Sequence, residues 1–475
     1  MEIWRRVGWS QWVEDGVGGT PRLLLPRKPT KLDQTQQPHP NHMLYLSNLD
    51  DQKFLRFSIK YLYLFQKSVP INLLKHSLSR LLVDYYPLAG RLKTLHSSSH
   101  HHDDDGDGDD DDDDKLQVDC NGEGAVFAEA FMDITAQEFL EVSQKPNKSW
   151  RKLLFRVDAP TFLDTPPLVV QVTKLRCGGM IVCTSINHCL CDGIGTSQFL
   201  HDWAYLTTKP SDSLLVTPFH FRHMFKPRSP SSHLPLLHPT FTKNTPNPNV
   251  EDSFSINRYL QSQPLVPASL TYTASNIVRL KSQCVPSVKC TTFEVLASHT
   301  WRSWVKSLNL APSLEVKLLF SMNIRNKVSP EIPKGYYANG FVLACAKTTV
   351  EELVNRNLQH AVKLVQEAKS VMTDDRINGI LELLEDKNIK TDLTASLVIS
   401  QWSKLGLENL DFGEGKPLHM GPLTSDIYCL FLPVIDHPND IRVLVSLPKG
   451  LVSKFEDYMK NFLDSNDVEA NKNCE

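Results

Sequence analysis

Residues Met180 to Leu206 read MIVCTSINHCLCDGIGTSQFLHDWAYL, and the architecture can be read outward from this stretch. MIVCTSIN is a strongly apolar run, the pattern of a buried strand. Asp192-Gly193-Ile194-Gly195 follows, where two glycines permit a tight turn. From Thr196 a helix is expected, because Phe199, Leu200, Trp203 and Leu206 recur at helical spacing and form a core stripe. Strand, turn and helix in direct succession indicate an α/β chain. His188 falls where the strand ends. A strand end fixes the direction of a side chain, which a general base requires. Locally, a core histidine beside a capping aspartate explains the same residues equally well. The His-x-x-x-Asp spacing is itself weak, since His100/Asp104 and His101/Asp105 also match it. Cys189 and Cys191 follow the histidine closely, but no second close pair of ligands accompanies them, so no metal is expected.

The same alternation continues on either side. Residues 42–65, 116–129 and 167–174 read as strands, and Leu73–Val83 as an amphipathic helix with Leu74, Leu78, Leu81 and Leu82 on one face. After residue 250, strands are expected at 316–323, 341–347, 395–402, 428–433 and 441–447. Helices are expected at 292–306, 349–372 and 451–463. At 475 residues the chain exceeds the size of one ordinary core. Two domains are expected, at 1–208 and 251–475, with proline-rich residues 209–250 as the crossover linker. A segment around 411–437 is expected to return to the first domain.

Composition narrows the function classes. Hydrophobic residues make up 41% and charged residues 22%, a globular profile. The net charge of -3 includes 10 aspartates between Asp103 and Asp114; the remainder of the chain carries an excess of about +7. A mildly basic body suits an anionic ligand, although many proteins without one share it. Residues 96–115 are low-complexity and are expected to be a disordered acidic insertion. No apolar run has the length of a signal peptide or membrane span. The 10 cysteines show no framework spacing. Free thiols, a cytoplasmic location and no nucleic-acid partner are therefore expected.

Three segments in order resemble the plant BAHD acyltransferases: Tyr86-Pro87-Leu88-Ala89-Gly90-Arg91, His188-Cys189-Leu190-Cys191-Asp192-Gly193, and Asp411-Phe412-Gly413-Glu414-Gly415-Lys416-Pro417. Leu46-Ser47-Asn48-Leu49-Asp50, Trp301-Arg302 and Pro333-Lys334-Gly335-Tyr336-Tyr337-Ala338-Asn339-Gly340 match as well. The resemblance covers nearly the whole chain, with the acidic segment as an insertion. It implies two chloramphenicol-acetyltransferase-like domains of mixed sheet and helices, separated by a channel. It also implies a monomer that binds no permanent cofactor and uses acyl-CoA as co-substrate, with a small-molecule or lipid alcohol as acceptor. His188 would be the general base. Asp192 would be structural and pair with Arg325. Ser400 and Trp402 would stand near the oxyanion. Asp411, Phe412, Gly413 and Gly415 would form a structural turn, and Arg279, Lys281 and Lys289 would meet the CoA phosphates.

The chain departs from the family pattern at Glu414, where tryptophan is usual, at Asn323, where aspartate is usual, and at Ala338, where glycine is frequent. Those departures motivate one alternative, a non-catalytic or repurposed protein with a binding or regulatory role. Transfer to simple alcohols or amines is another. The segments around Val172–Gly179 and Asn187–Gly195 look most like the subgroup that moves hydroxycinnamoyl groups onto fatty alcohols or ω-hydroxy acids, the chemistry of cutin and suberin.

Overall fold

The computed structural model describes residues 23–32, 42–95, 115–142, 148–228, 238–243, 264–423 and 429–461. Strands of the first half are β1 (Leu23–Leu32), β2 (Met43–Tyr45), β3 (Ser58–Phe65), β4 (Arg91–Leu95), β5 (Lys115–Asp119), β6 (Ala125–Met132), β7 (Leu168–Leu175) and β8 (Met180–Asn187). The second half adds β9 (Phe241–Lys243), β10 (Leu265–Tyr272), β11 (Glu315–Asn323), β12 (Phe341–Thr349), β13 (Ile389–Thr391), β14 (Ser396–Gln401), β15 (Pro417–Pro422), β16 (Cys429–Val434) and β17 (His437–Pro448). The principal helices are α1 (Ile71–Asp84), α2 (Ala136–Val142), α3 (Gly193–Thr208), α4 (Ala274–Ser282), α5 (Thr292–Leu308), α6 (Val350–Asn355), α7 (Leu358–Ser370), α8 (Asp374–Leu383) and α9 (Val452–Lys460).

Two six-stranded sheets organise the chain, in the orders β1-β6-β7-β8-β3-β15 and β10-β17-β16-β14-β11-β12. Both mix parallel and antiparallel pairs, so the α/β architecture built on two sheets is as expected. All eight residues of β8 are buried, because β8 lies inside the sheet between β3 and β7 and is covered on both faces. On one face, α1 and α3 pack together. Leu74, Leu78, Leu81 and Leu82 of α1 are fully buried against Phe199, Leu200 and Trp203 of α3. Each such side chain contributes roughly 1.5–3 kcal/mol by leaving water. The Trp203 indole N–H also donates to the Leu74 carbonyl at 3.1 Å. The second sheet carries its own core, centred on α5 with Trp301 and Trp304.

Several boundaries differ from the sequence reading, each for a local reason. Helix α3 begins at Gly193, not Thr196, because Asp192 caps it and draws both glycines into the first turn. The helix expected over 349–372 is two helices. It breaks at Arg356, and the Asn357 side chain restarts it by accepting from the His360 N–H. The C-terminal return is shorter than 411–437. Strand β15 joins the first sheet beside β3, but β16 already lies in the second sheet, where its apolar run CLFLPV pairs with β14 and β17. Within the expected linker, Phe219 bridges to Tyr336 and β9 pairs with β13; residues 229–237 and 244–250 lie outside the described residues. Of the acidic insertion, 96–114 lie outside them too, and Lys115 opens β5. No helix among the described residues is long and apolar enough to cross a membrane.

Candidate active site

A cavity of about 770 Å³ lies between the two sheets. Residues 53–57 and the start of β3 wall it on one side, and β11, β12, β14 and β16 of the second sheet on the other. Its size falls in the range of small-molecule sites. His188, Asp192, Arg325, Ser400 and Trp402 all line it, although they come from places up to 214 positions apart in the chain.

The sequence places His188 there through a short chain of backbone bonds. Asn187 ends β8, and its carbonyl accepts from the N–H groups of Leu190 and Cys191 while its side chain accepts from Cys189 at 2.9 Å. The chain therefore turns at once after the strand. The His188 N–H donates to the Phe57 carbonyl at 2.9 Å. Its ring lies edge-on to Phe57 at 5.1 Å and near Phe341 at 6.0 Å. Burial among these groups pushes the imidazole below its ordinary value of 6.5, against smaller opposing effects that include Asp192. The ring is thus neutral at neutral pH, the state that can accept a proton. Cys189 and Cys191 are fully buried, and burial pushes both thiols well up. Neither presents a thiolate to the cavity.

Asp192 does two things at once. One oxygen accepts from the Gly195 N–H at 2.9 Å as the cap of α3. The carboxylate also faces Arg325 at two points, 2.9 and 3.0 Å. Arg325 further donates to the carbonyls of Tyr336 and Ala338, at 3.1 and 2.6 Å. Asn323 accepts from the Arg325 backbone N–H and guanidinium, so an amide fills the place of the usual carboxylate. Two glycines allow the close packing. A Cβ on Gly195 would lie 1.7 Å from the Tyr337 carbonyl oxygen, and one on Gly340 would lie 2.7 Å from the Arg325 guanidinium.

Behind His188 lies a buried network to which sequence reasoning assigned no role. Asp50, fully buried, accepts from the Ser47 N–H and hydroxyl, and from the Asn339 backbone N–H and amide. Arg222 is buried with it, Nε to carboxylate at 3.5 Å. The Asn339 amide then donates to the His188 carbonyl at 2.8 Å. Segments 46–50 and 333–340 both belong to the family-like pattern, and the fold brings them together behind the histidine.

Trp402 stacks on Tyr61 at 4.2 Å with planes 10° apart, which ties the end of β14 to the first sheet. Ser400, two residues earlier, lines the cavity on β14. The segment 411–417 lies outside the cavity wall. Asp411 accepts from the N–H groups of Gly413 and Gly415 at 2.7 and 2.9 Å, and Phe412 packs against Phe65 and Trp203. Glu414 is exposed and faces Lys67 at 3.6 Å. Arg279, Lys281 and Lys289 lie on α4 and the loop after it, and none of them lines the cavity. The cations that do are Lys53, Arg56, Lys60, Arg325 and Lys404, against one carboxylate, Asp192.

The Transferase family description matches residues 31–462. The chain is 32% identical over 429 residues to the omega-hydroxypalmitate O-feruloyl transferase of Arabidopsis thaliana, covering 87% of this chain and 88% of that one. It is 32% identical over 447 residues to the fatty alcohol:caffeoyl-CoA acyltransferase of the same plant, covering 92% and 98%. The crystal structure of vinorine synthase superposes with a TM-score of 0.68 at 16% identity, over 93% of this chain and 98% of that one.

Proposed function

The chain belongs to the Transferase family, the plant BAHD acyltransferases, and from that premise we propose that His188 is the general base for esterification of a long-chain alcohol by a hydroxycinnamoyl-CoA. The family places the protein among acyl-CoA-dependent acyltransferases, with acyl-CoA as co-substrate. The observation that carries the catalytic reading is the position of His188, fixed at a strand end and lining the cavity between the sheets, where burial lowers its pKa. In this reading His188 takes the proton of the acceptor hydroxyl as its oxygen attacks the thioester carbonyl. The tetrahedral oxyanion forms beside the Ser400 hydroxyl and Trp402. Collapse breaks the carbon–sulfur bond, and the imidazolium returns its proton to the CoA thiolate. No acyl-enzyme is needed, in keeping with the two buried, protonated thiols. Asp192 and Arg325 hold the loop and stay out of the chemistry.

The cationic cavity lining supports an anionic co-substrate. The apolar share of the same lining, including Phe54, Ile59, Ile194, Leu343, Val398 and Leu430, supports an aliphatic acceptor. The names of the two plant relatives point the same way. Of the three departures behind a non-catalytic role, Glu414 is solvent-facing and apart from the cavity, while Asn323 and the Ala338 carbonyl both accept from Arg325.

Two measurements test the proposal. His188→Ala should lower turnover at least about 100-fold with the fold intact, the lower end for a general base; near-native turnover would remove the mechanism. A mass-spectrometric screen should pair feruloyl-, coumaroyl-, benzoyl- and acetyl-CoA with long-chain alcohols, ω-hydroxy acids and small volatile alcohols. Ester formation with the volatile alcohols alone would overturn the acceptor assignment.

A further inference from the structure

Helix α3 begins just past the His188 turn and carries a row of contacts that the mechanism leaves unused. Gly193, Ser197 and His201 stand four positions apart, so they share one face of the helix. All three meet the chain that leaves the end of β14. A Cβ on Gly193 would lie 3.1 Å from the Leu405 side chain and 3.7 Å from the Trp402 ring. The hydroxyl of buried Ser197 donates to the Leu405 carbonyl at 2.5 Å. His201 Nε2 lies 3.1 Å from the Gly406 carbonyl. A carbonyl can only accept, so Nε2 carries the hydrogen and donates it. Gly406 itself has φ 76°, which a glycine adopts without strain. Neither Ser197 nor His201 lines the cavity.

These contacts matter because of what the same chain carries. Ser400 and Trp402, the residues beside the proposed oxyanion, are held by the second sheet. Ser400 lies opposite Leu430 of β16, and the Trp402 N–H donates to the Phe431 carbonyl at 2.8 Å. His188 instead follows β8 of the first sheet. The base and the oxyanion side therefore sit on different sheets, and the ladder bonds within each sheet leave their separation open. The stack of Trp402 on Tyr61 brings the sheets together without a directed bond. Helix α3 supplies directed bonds. Its N-terminus is pinned beside His188 through Asp192 and Arg325. From Gly193 to His201 it rises roughly 12 Å as one stiff element. Ser197 and His201 then grip the backbone at Leu405 and Gly406, one turn past Trp402, whose carbonyl accepts from the Leu405 N–H at 3.2 Å. Beyond that grip the chain enters the first core, where Leu407 and Leu410 are fully buried.

We propose that α3 is the spacer that fixes the separation of His188 from Ser400 and Trp402, with Ser197 and His201 as positioning residues for acyl transfer. The proposal rests on the acyltransferase mechanism above. Its test measures kcat and KM for feruloyl-CoA with the acceptor that the screen above identifies. The proteins are the full-length native chain, Ser197→Ala, His201→Phe, the double variant and His201→Gln. Thermal unfolding sets an assay temperature at which every variant is folded. A shift of about 1 Å at a reacting group costs up to roughly 100-fold in rate. Each single change should therefore lower kcat about tenfold, and the double variant up to about 100-fold. KM for feruloyl-CoA should stay within about twofold of native, because the lost interaction serves the transition state and not substrate binding. His201→Gln keeps an N–H donor and should recover most of kcat. Native kcat in the folded double variant overturns the spacer. So does a loss that appears in KM with kcat unchanged, or a kcat loss that His201→Gln fails to relieve. The mechanism is judged separately. If His188→Ala loses turnover while the double variant keeps it, only the spacer falls. If turnover survives in both, or the native protein forms no ester from any pair, the mechanism falls and the spacer with it.

Discussion

Substituting Asp192 by Asn separates two roles that the motif spacing confounds. The carboxylate is 4% exposed and holds both a helix cap and Arg325. Asparagine still accepts from the Gly195 N–H, and as a cap it is nearly equivalent to aspartate. What Asp192→Asn removes is the charge. Breaking a buried ion pair from one side costs about 3–5 kcal/mol, because the remaining charge is left without its counterion. Here the lower end applies, since Arg325 keeps the carbonyls of Tyr336 and Ala338 and its side chain is 13% exposed. A loss of about 3 kcal/mol corresponds to roughly 6–12 °C in Tm for a cooperative unit of 150–250 residues. Asp192→Ala should lose about 1 kcal/mol more, the worth of the cap. Arg325→Met combined with Asp192→Asn should cost less than the two changes added together, because neither charge is then stranded. The assay is thermal unfolding of the native protein, Asp192→Asn, Asp192→Ala, Arg325→Met and the double variant, alongside kcat/KM. Activity should fall in step with the displaced His188 loop, since about 1 Å of misplacement costs up to roughly 100-fold. A variant that keeps native Tm yet loses 100-fold or more in rate would refute the structural role and return Asp192 to the chemistry.

Three further outcomes follow from the same geometry. Because burial lowers the His188 pKa, the imidazole stays an acceptor as pH falls through 6.5, so the acid limb of kcat/KM should lie below pH 6.5; a limb above it contradicts the buried, neutral base. Buried His238, His299 and His419 are pushed down to about 4, 4 and 3, so the unfolded chain binds protons that the native state refuses once pH drops below 6.5. Stability is therefore present above pH 6.5 and lost toward pH 4, each histidine contributing up to about 1.4 kcal/mol per pH unit; a urea midpoint constant over that range would refute it. Glu414→Trp alters an exposed residue with a surface ion pair, so Tm should move by no more than about 2 °C and kcat/KM by no more than about twofold; a large gain in either would show that the glutamate does impair the turn.

Helix α1 was legible because four leucines at helical spacing must be covered, and β8 because a continuous apolar run must be buried. The start of α3 was misplaced by three residues, since glycines read as a turn until the capping bonds of Asp192 are known. Segments 46–50 and 333–340 were visible as patterns but had no reading, because Asp50 and Asn339 are 289 positions apart and meet only after both sheets have formed. Glu414 looked like the largest departure in the sequence, yet its side chain points to water, and exposure is not encoded in residue identity.

The sequence by itself determined the alternation of strands and helices, the strand-end position of His188 and the order of the family's segments, because periodicity and turn chemistry are local. Only the tertiary structure decided what faces the cavity. Burial, charge pairing and the pKa of His188 depend on which side chains the two sheets bring together, and those lie up to several hundred positions apart in the chain.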